Sequence, residues 1–167
     1  VARYVLLLRH KTIFLFYYCK FSVVLFEVQR LLNFWRWITM EREYTLSESS
    51  FLVSETDDKG VITFANEDFC EIAGYRRDEL IGQNHNIVRH PDMPKAAFKD
   101  LWQTVQSGKI WTGFVKNARK GGGFYWVYAT VYPMINCGGT KNGYMSCRRM
   151  ATRDEIARAE ALYKTLN

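Results

Sequence analysis

The stretch Asn86-Ile87-Val88-Arg89-His90-Pro91-Asp92-Met93-Pro94 crowds three ionisable side chains between and around two prolines. Proline fixes φ and removes a backbone donor, so this run reads as a Pro-bounded loop. Pro94 suits the first turn of a helix. Beyond it Ala97, Phe98, Leu101, Trp102 and Val105 share one helical face, which Ser107-Gly108 stops. Three longer strands are then expected, Trp111–Arg119, Phe124–Met134 and Asn142–Met150, the first two joined by a Lys120-Gly121-Gly122-Gly123 turn.

Working back from the loop, Ser50–Thr56 alternates like a strand. Asp57-Asp58-Lys59-Gly60 reads as a hairpin turn, and Val61–Ala65 as its second strand. Asn66 is placed to cap a short helix that Gly74 ends. Arg76–Leu80 adds a turn of helix closed by Gly82. Downstream, Thr152-Arg153-Asp154-Glu155 is a capping box opening a last helix, with Ile156, Ala159, Tyr163 and Leu166 on one face. The class is α+β: two strands, short helices, three strands, a helix.

Charge divides the chain. Its net charge is +6, and residues 1–39 hold six cations against Glu27 alone, a net +5. Residues 40–167 are therefore near neutral, which argues against a nucleic-acid footprint. Residues 1–39 have no Gly or Pro and ten aromatics. Thr12–Phe26 is mostly apolar but short of the roughly 20 residues a spanning helix needs, and Lys20 interrupts it. No signal-peptide cleavage site comes after it. Two readings of 1–39 stand: a basic aromatic arm touching a membrane, or an extension translated from AT-rich non-coding DNA, natural protein beginning at Met40. The domain is expected over 40–150, with 151–167 as its C-terminal helix or linker. Cys19, Cys70, Cys137 and Cys147 form no C-x-x-C pair, so a zinc site is not expected, and reduced thiols suit a cytosolic protein.

The order of elements and several short runs resemble the PAS family. Phe64-Ala65-Asn66-Glu67-Asp68-Phe69, Gly74-Tyr75, Glu79-Leu80-Ile81-Gly82 and Gly143-Tyr144-Met145-Ser146 are PAS-like. His85 to Phe98, Trp111 to Lys120 and Ala161 to Asn167 resemble the PAS domains of bacterial aerotaxis receptors. That resemblance implies a five-stranded antiparallel sheet with short helices on one face. It implies non-covalently bound FAD and a redox, oxygen or energy sensor in chemotaxis, not an enzyme. It carries cofactor roles onto Arg89, His90, Asp92, Trp102 and Asn117, with Trp111 as a pocket wall. Its expected partner is a methyl-accepting chemotaxis-type transducer or another signalling protein, since the chain stops at Asn167 without the family's output region. At Asn84, Pro is more usual in the family.

The residues can be weighed against that implication. On the strand from Trp111, alternation puts Trp111, Gly113, Val115 and Asn117 on one face. Gly113 leaves room for a ring, and Asn117 offers the donor and acceptor that an imide-like edge needs, though Asn also suits a strand-end turn. Arg89 can grip a phosphate bidentately; alternatively Arg89, His90 and Asp92 form a charge-paired loop that holds nothing. Trp102 fits a pocket wall or plain core. Tyr125, Val127, Ala129 and Val131 are assigned to the pocket. Trp126, Tyr128, Thr130 and Tyr132 then form an outer face for the closing helix, the N-terminal segment, a partner or a second copy. Iron at His85, His90 and Asp92 lacks regular spacing, and haem would use His85 or His90. A cofactor-free interaction module is the remaining alternative. Asn84–Val88 has no cysteine for flavin photochemistry. Neither a nucleophile–base pair nor a nucleotide-binding Gly-rich motif supports an enzyme.

Overall fold

The computed structural model describes residues 42–166, together with Val28 and Arg30 in a helical segment. The chain divides into two compact units, residues 1–40 and 41–167. The readings of residues 1–39 and of Cys19 lie outside the described residues, Val28 and Arg30 apart. The sheet and its helices belong to the second unit.

The strands of this unit are β1 (Leu52–Thr56), β2 (Ile62–Ala65), β3 (Trp111–Ala118), β4 (Phe124–Ile135) and β5 (Lys141–Met150). They form one antiparallel sheet in the order β2-β1-β5-β4-β3. The chain leaves one edge at β2 and re-enters at the opposite edge as β3. Helices α1 (Glu67–Ala73), α2 (Arg77–Leu80) and α3 (Lys95–Gln106), with a 3-10 turn at His85–Val88, make that crossing. This is the expected α+β sheet of five strands, with helix α4 (Arg153–Lys164) closing the chain. Each strand differs from the sequence reading at one end, by one or two residues, where pairing partners rather than residue type decide the last rung. The 3-10 turn was not expected. Asn84 makes it: at φ −66° it has a proline-like φ, and its side chain accepts from Asn86 N–H.

Local signals act across the fold. Asn66 Oδ1 accepts from Phe69 N–H, capping α1, and from Val53 N–H; its Nδ2 donates to Phe51 O. One side chain so caps a helix and pins β1 to it. At Gly143, φ is +108°, and a Cβ there would lie 2.0 Å from Thr56 O, so only glycine lets β5 approach β1 this closely. Between helices and sheet sit Leu52, Phe69, Leu80, Val105, Tyr125 and Val127, all fully buried. Each of the aliphatic and phenylalanine side chains among them contributes roughly 1.5–3 kcal/mol relative to exposure, whereas the Tyr125 hydroxyl is buried without a hydrogen-bond partner.

Helix α4 lies on the opposite, outer face. Thr152 and Glu155 form its capping box, and Arg149 grips Glu155 through two bonds of 2.9 and 3.0 Å. Tyr163 stacks on Trp126 with ring centroids 6.4 Å apart and donates its hydroxyl to Phe114 O at 2.5 Å. The closing helix therefore covers the Trp126 end of the outer face, while Tyr132 remains exposed. Leu166 is a correction: the helix ends at Lys164, so Leu166 lies past the packed turn and is exposed.

Candidate functional site

Strand alternation turns one row of residues from each inner strand toward the helices. Between them lies a cavity of about 410 Å³. Its sheet wall is Ser54 and Thr56 from β1, Trp111, Val115 and Asn117 from β3, Ala129 and Val131 from β4, and Tyr144, Ser146 and Arg148 from β5. Helix α3 supplies Phe98, Leu101, Trp102 and Val105. The loop supplies Asn84, His85, Asn86 and Arg89, and the β1–β2 turn Lys59 and Gly60. Trp102 meets Tyr144 edge-on at 5.4 Å between centroids.

The polar groups are few. Arg148 is 2% exposed, and its Nη2 donates to Ser54 Oγ at 2.5 Å. Its Nε and Nη1 are buried with no partner, although the guanidinium lies 4.3 Å above the Phe69 ring. Burial pulls its pKa down to about 10, which leaves it charged at neutral pH. Ser54 Oγ also lies 3.0 Å from His85 Nε2, and the imidazole stacks on Phe69 at 5° between planes. Burial first, then the Arg148 charge, lowers the His85 pKa to about 3. The ring lines the cavity and is neutral at pH 7. Buried charges are normally paired, so an uncompensated guanidinium on a cavity wall calls for an acceptor.

The structure brings Arg89, Trp102, Trp111 and Asn117 together on that wall. The backbones of Arg89 and Asn117 form an antiparallel bridge that ties loop to strand. The Arg89 guanidinium stands 3.9 Å over the Phe98 ring. Trp111 donates its indole N–H to Asp100 of α3 at 2.7 Å.

His90, Asp92 and Gly113 do not reach the wall. His90 is buried beneath the loop, edge-on to Phe124, and its Nδ1 accepts from Asp92 N–H at 3.2 Å. Burial, then Lys116, lowers its pKa. Asp92 points outward and pairs with Lys116 Nζ at 2.6 Å, which lowers its own pKa. These two hold the loop against β3. Gly113 faces inward, opposite Ala129, but the Trp111 indole lies across it: a Cβ at Gly113 would meet Cζ2 and Cη2 at 2.5 Å. The space it leaves is taken by the chain's own ring.

Sequence reasoning passed over Arg148, Ser54 and Tyr144 as site residues. Alternation along β5 aligns Tyr144, Ser146 and Arg148, so a charge on the same face as an aromatic was the available signal. His85 entered only as a metal or haem ligand; among the described residues no cluster of three or more His, Cys, Asp or Glu is arranged to hold a metal.

The sequence profile described as "PAS fold" matches residues 62–145, half of the chain. The chain belongs to the PAS family. This PAS domain is of the aerotaxis-receptor type: it is 52% identical over 122 residues to the aerotaxis receptor of Escherichia coli, covering 73% of this chain and 24% of that protein. It is 30% identical over 104 residues to the nitrogen fixation regulatory protein of Klebsiella pneumoniae, covering 62% of this chain and 21% of that one. The chain thus spans about a quarter of the length of these curated relatives. A light-oxygen-voltage domain studied with a flavin analogue superposes with a TM-score of 0.57 at 22% identity, over 69% of this chain and 84% of the other. By name, these two relatives are a receptor and a regulatory protein. Among its described residues no helix is long and apolar enough to cross a membrane.

Proposed function

We propose that this PAS domain is a flavin-binding redox sensor, with FAD as cofactor, that signals in energy taxis. The observation that carries this reading is the buried Arg148 guanidinium with two unpartnered nitrogens on the wall of an aromatic-lined cavity. A flavin fits that chemistry: a flat apolar ring for Trp102, Trp111, Val115 and Leu101, and one edge rich in carbonyl acceptors. When bound, a flavin supplies reversible electron and proton uptake. Arg148 would hold the carbonyl edge and favour negative charge there. Asn117, able to donate and to accept, would answer a change in protonation on the ring by reversing its amide.

The chain has two routes from that site to its surface. One runs from Asn117 through its bridge to Arg89 and the loop held by Asp92 and Lys116. The other runs through β4 to Trp126 and the Tyr163 latch of α4. A shift between two arrangements of either element would carry the signal. We assign the sensor to residues 40–150 and α4 to its output side, working in the cytoplasm with a chemotaxis-type transducer or another signalling protein. The similarity to an aerotaxis receptor supports that partner class.

A visible absorption spectrum of the purified chain tests the reading. A two-banded flavin spectrum that bleaches with dithionite is expected. A haem band, or no chromophore with no uptake of added FAD, would overturn it.

A further inference from the structure

Strand β3 is an edge of the sheet, and a hydrogen bond reaches it from each side. On the inner side the Trp111 indole lines the cavity and donates to Asp100 Oδ2 of α3 at 2.7 Å. On the outer side Tyr163 of α4 donates its hydroxyl to Phe114 O, three residues along the same strand. Asp100 itself is exposed and makes no ion pair among the described residues, so no cation holds its charge. The Tyr163 phenol has its pKa raised, by burial first and then by the Asp100 charge. The carboxylate of α3 thus acts on the hydroxyl of α4 around the strand edge.

Two donors, the indole and the phenol, therefore share one edge with two acceptors, the Asp100 carboxylate and Phe114 O. The acceptors are unequal. A hydrogen bond to a carboxylate is roughly twice as strong as one to a neutral carbonyl. The phenol nevertheless sits on the carbonyl, while the carboxylate holds the indole. The position of the indole is set from inside the cavity wall, where the ring lies across Gly113. Whatever shifts that ring acts on Asp100 first.

We infer that Asp100 is a positioning residue that carries the state of the cavity wall to helix α4. With the indole in place, the Tyr163 hydroxyl stays on Phe114 O and α4 stays docked. When the indole withdraws, the freed carboxylate takes the Tyr163 hydroxyl and loosens α4 from the sheet. These are two arrangements of one set of hydrogen bonds, and the wall selects between them. The route passes around the edge strand and uses neither the Asn117–Arg89 bridge nor the stack on Trp126. It goes beyond the flavin reading, because it does not depend on what fills the cavity.

The test is amide exchange of α4 in the full chain, with β4 and β5 as the gauge of global opening. Trp111→Phe keeps an aromatic wall and deletes the indole donor. Helix α4 should then exchange about fivefold faster while β4 and β5 keep their protection. Asp100→Asn keeps an acceptor for the indole and removes the charge. Alone it should leave α4 as in the wild type, and combined with Trp111→Phe it should restore wild-type protection, a rescue that a merely structural contact would not give. An α4 unmoved by Trp111→Phe, or quickened equally with and without Asp100→Asn, would overturn the route. If Trp111→Phe also opens β4 and β5, Gly113→Ala, which displaces the indole from within, is put through the same cycle and the same outcomes decide. Flavin retention is scored separately: its absence from the wild-type chain would overturn the flavin reading and leave this route standing.

Discussion

The indole of Trp111 folds back across Gly113, two residues along the same strand, and is held there by its hydrogen bond to Asp100. Glycine at 113 is thus a condition for a cavity wall built from the chain's own tryptophan. Gly113→Ala places a methyl 2.5 Å from the indole. The ring must move and give up its Asp100 bond. A loss of about 1–3 kcal/mol is expected, with a red-shifted tryptophan emission. An unchanged melting temperature and emission would show that the indole is not fixed there.

Removing Arg148 should separate stability from binding. Its side chain is a buried cation with no carboxylate among its hydrogen-bond partners. Arg148→Met should leave the ligand-free protein as stable as before or more so. Flavin affinity should fall at least about tenfold. Equilibrium dialysis against FAD, beside urea unfolding of the stripped protein, reads both. Undiminished flavin retention would remove Arg148 from the site.

Acid should destabilise the domain before its carboxylates titrate. The His85 pKa is about 3 against an ordinary 6.5, and burial lowers that of His90 as well. Between pH 6.5 and 3 the unfolded chain binds a proton at residue 85 that the folded chain refuses. Stability therefore falls as pH drops through 6.5, by up to about 1.4 kcal/mol per unit for that residue. Below the ordinary carboxylate range Glu155, held at about 2 chiefly by Arg149, adds a loss of the same sign. Urea melts at pH 7.5, 6 and 5 should show the decline, and His85→Gln should flatten part of it. The His90 share will remain.

The pair Asp92–Lys116 should act on the loop and not on the ligand. Asp92 is 65% exposed and Lys116 14%, so their coupling should be about 0.5–1 kcal/mol. A double-mutant cycle of Asp92→Asn and Lys116→Met measures it. Each single change should loosen flavin binding, and the two losses should not add. Full additivity would mean that the two residues work separately.

Tyr163→Phe keeps the stack on Trp126 and deletes the hydrogen bond to Phe114 O. About 1 kcal/mol of docking should be lost. Amide exchange should quicken in α4 while β4 and β5 stay protected. Equal quickening throughout would mean that α4 opens only with the whole domain.

What the sequence determined by itself was local. Asn66, Gly74 and the Thr152–Glu155 box mark helix ends because a cap bonds to backbone three or four residues away. Alternation put Trp111, Val115 and Asn117 on the inner face of β3, because side chains in a strand swap faces at every residue. The resemblance in the His/Pro loop named the family. Tertiary structure decided what faces the cavity. Arg148 meets Ser54, 94 residues away, only because β5 inserts between β1 and β4. No local rule encodes that pairing. His90 and Asp92 left the site because the loop turns them under and outward, against Phe124 and Lys116. Gly113 kept its expected face, and its purpose changed only when the rotamer of its own neighbour was known.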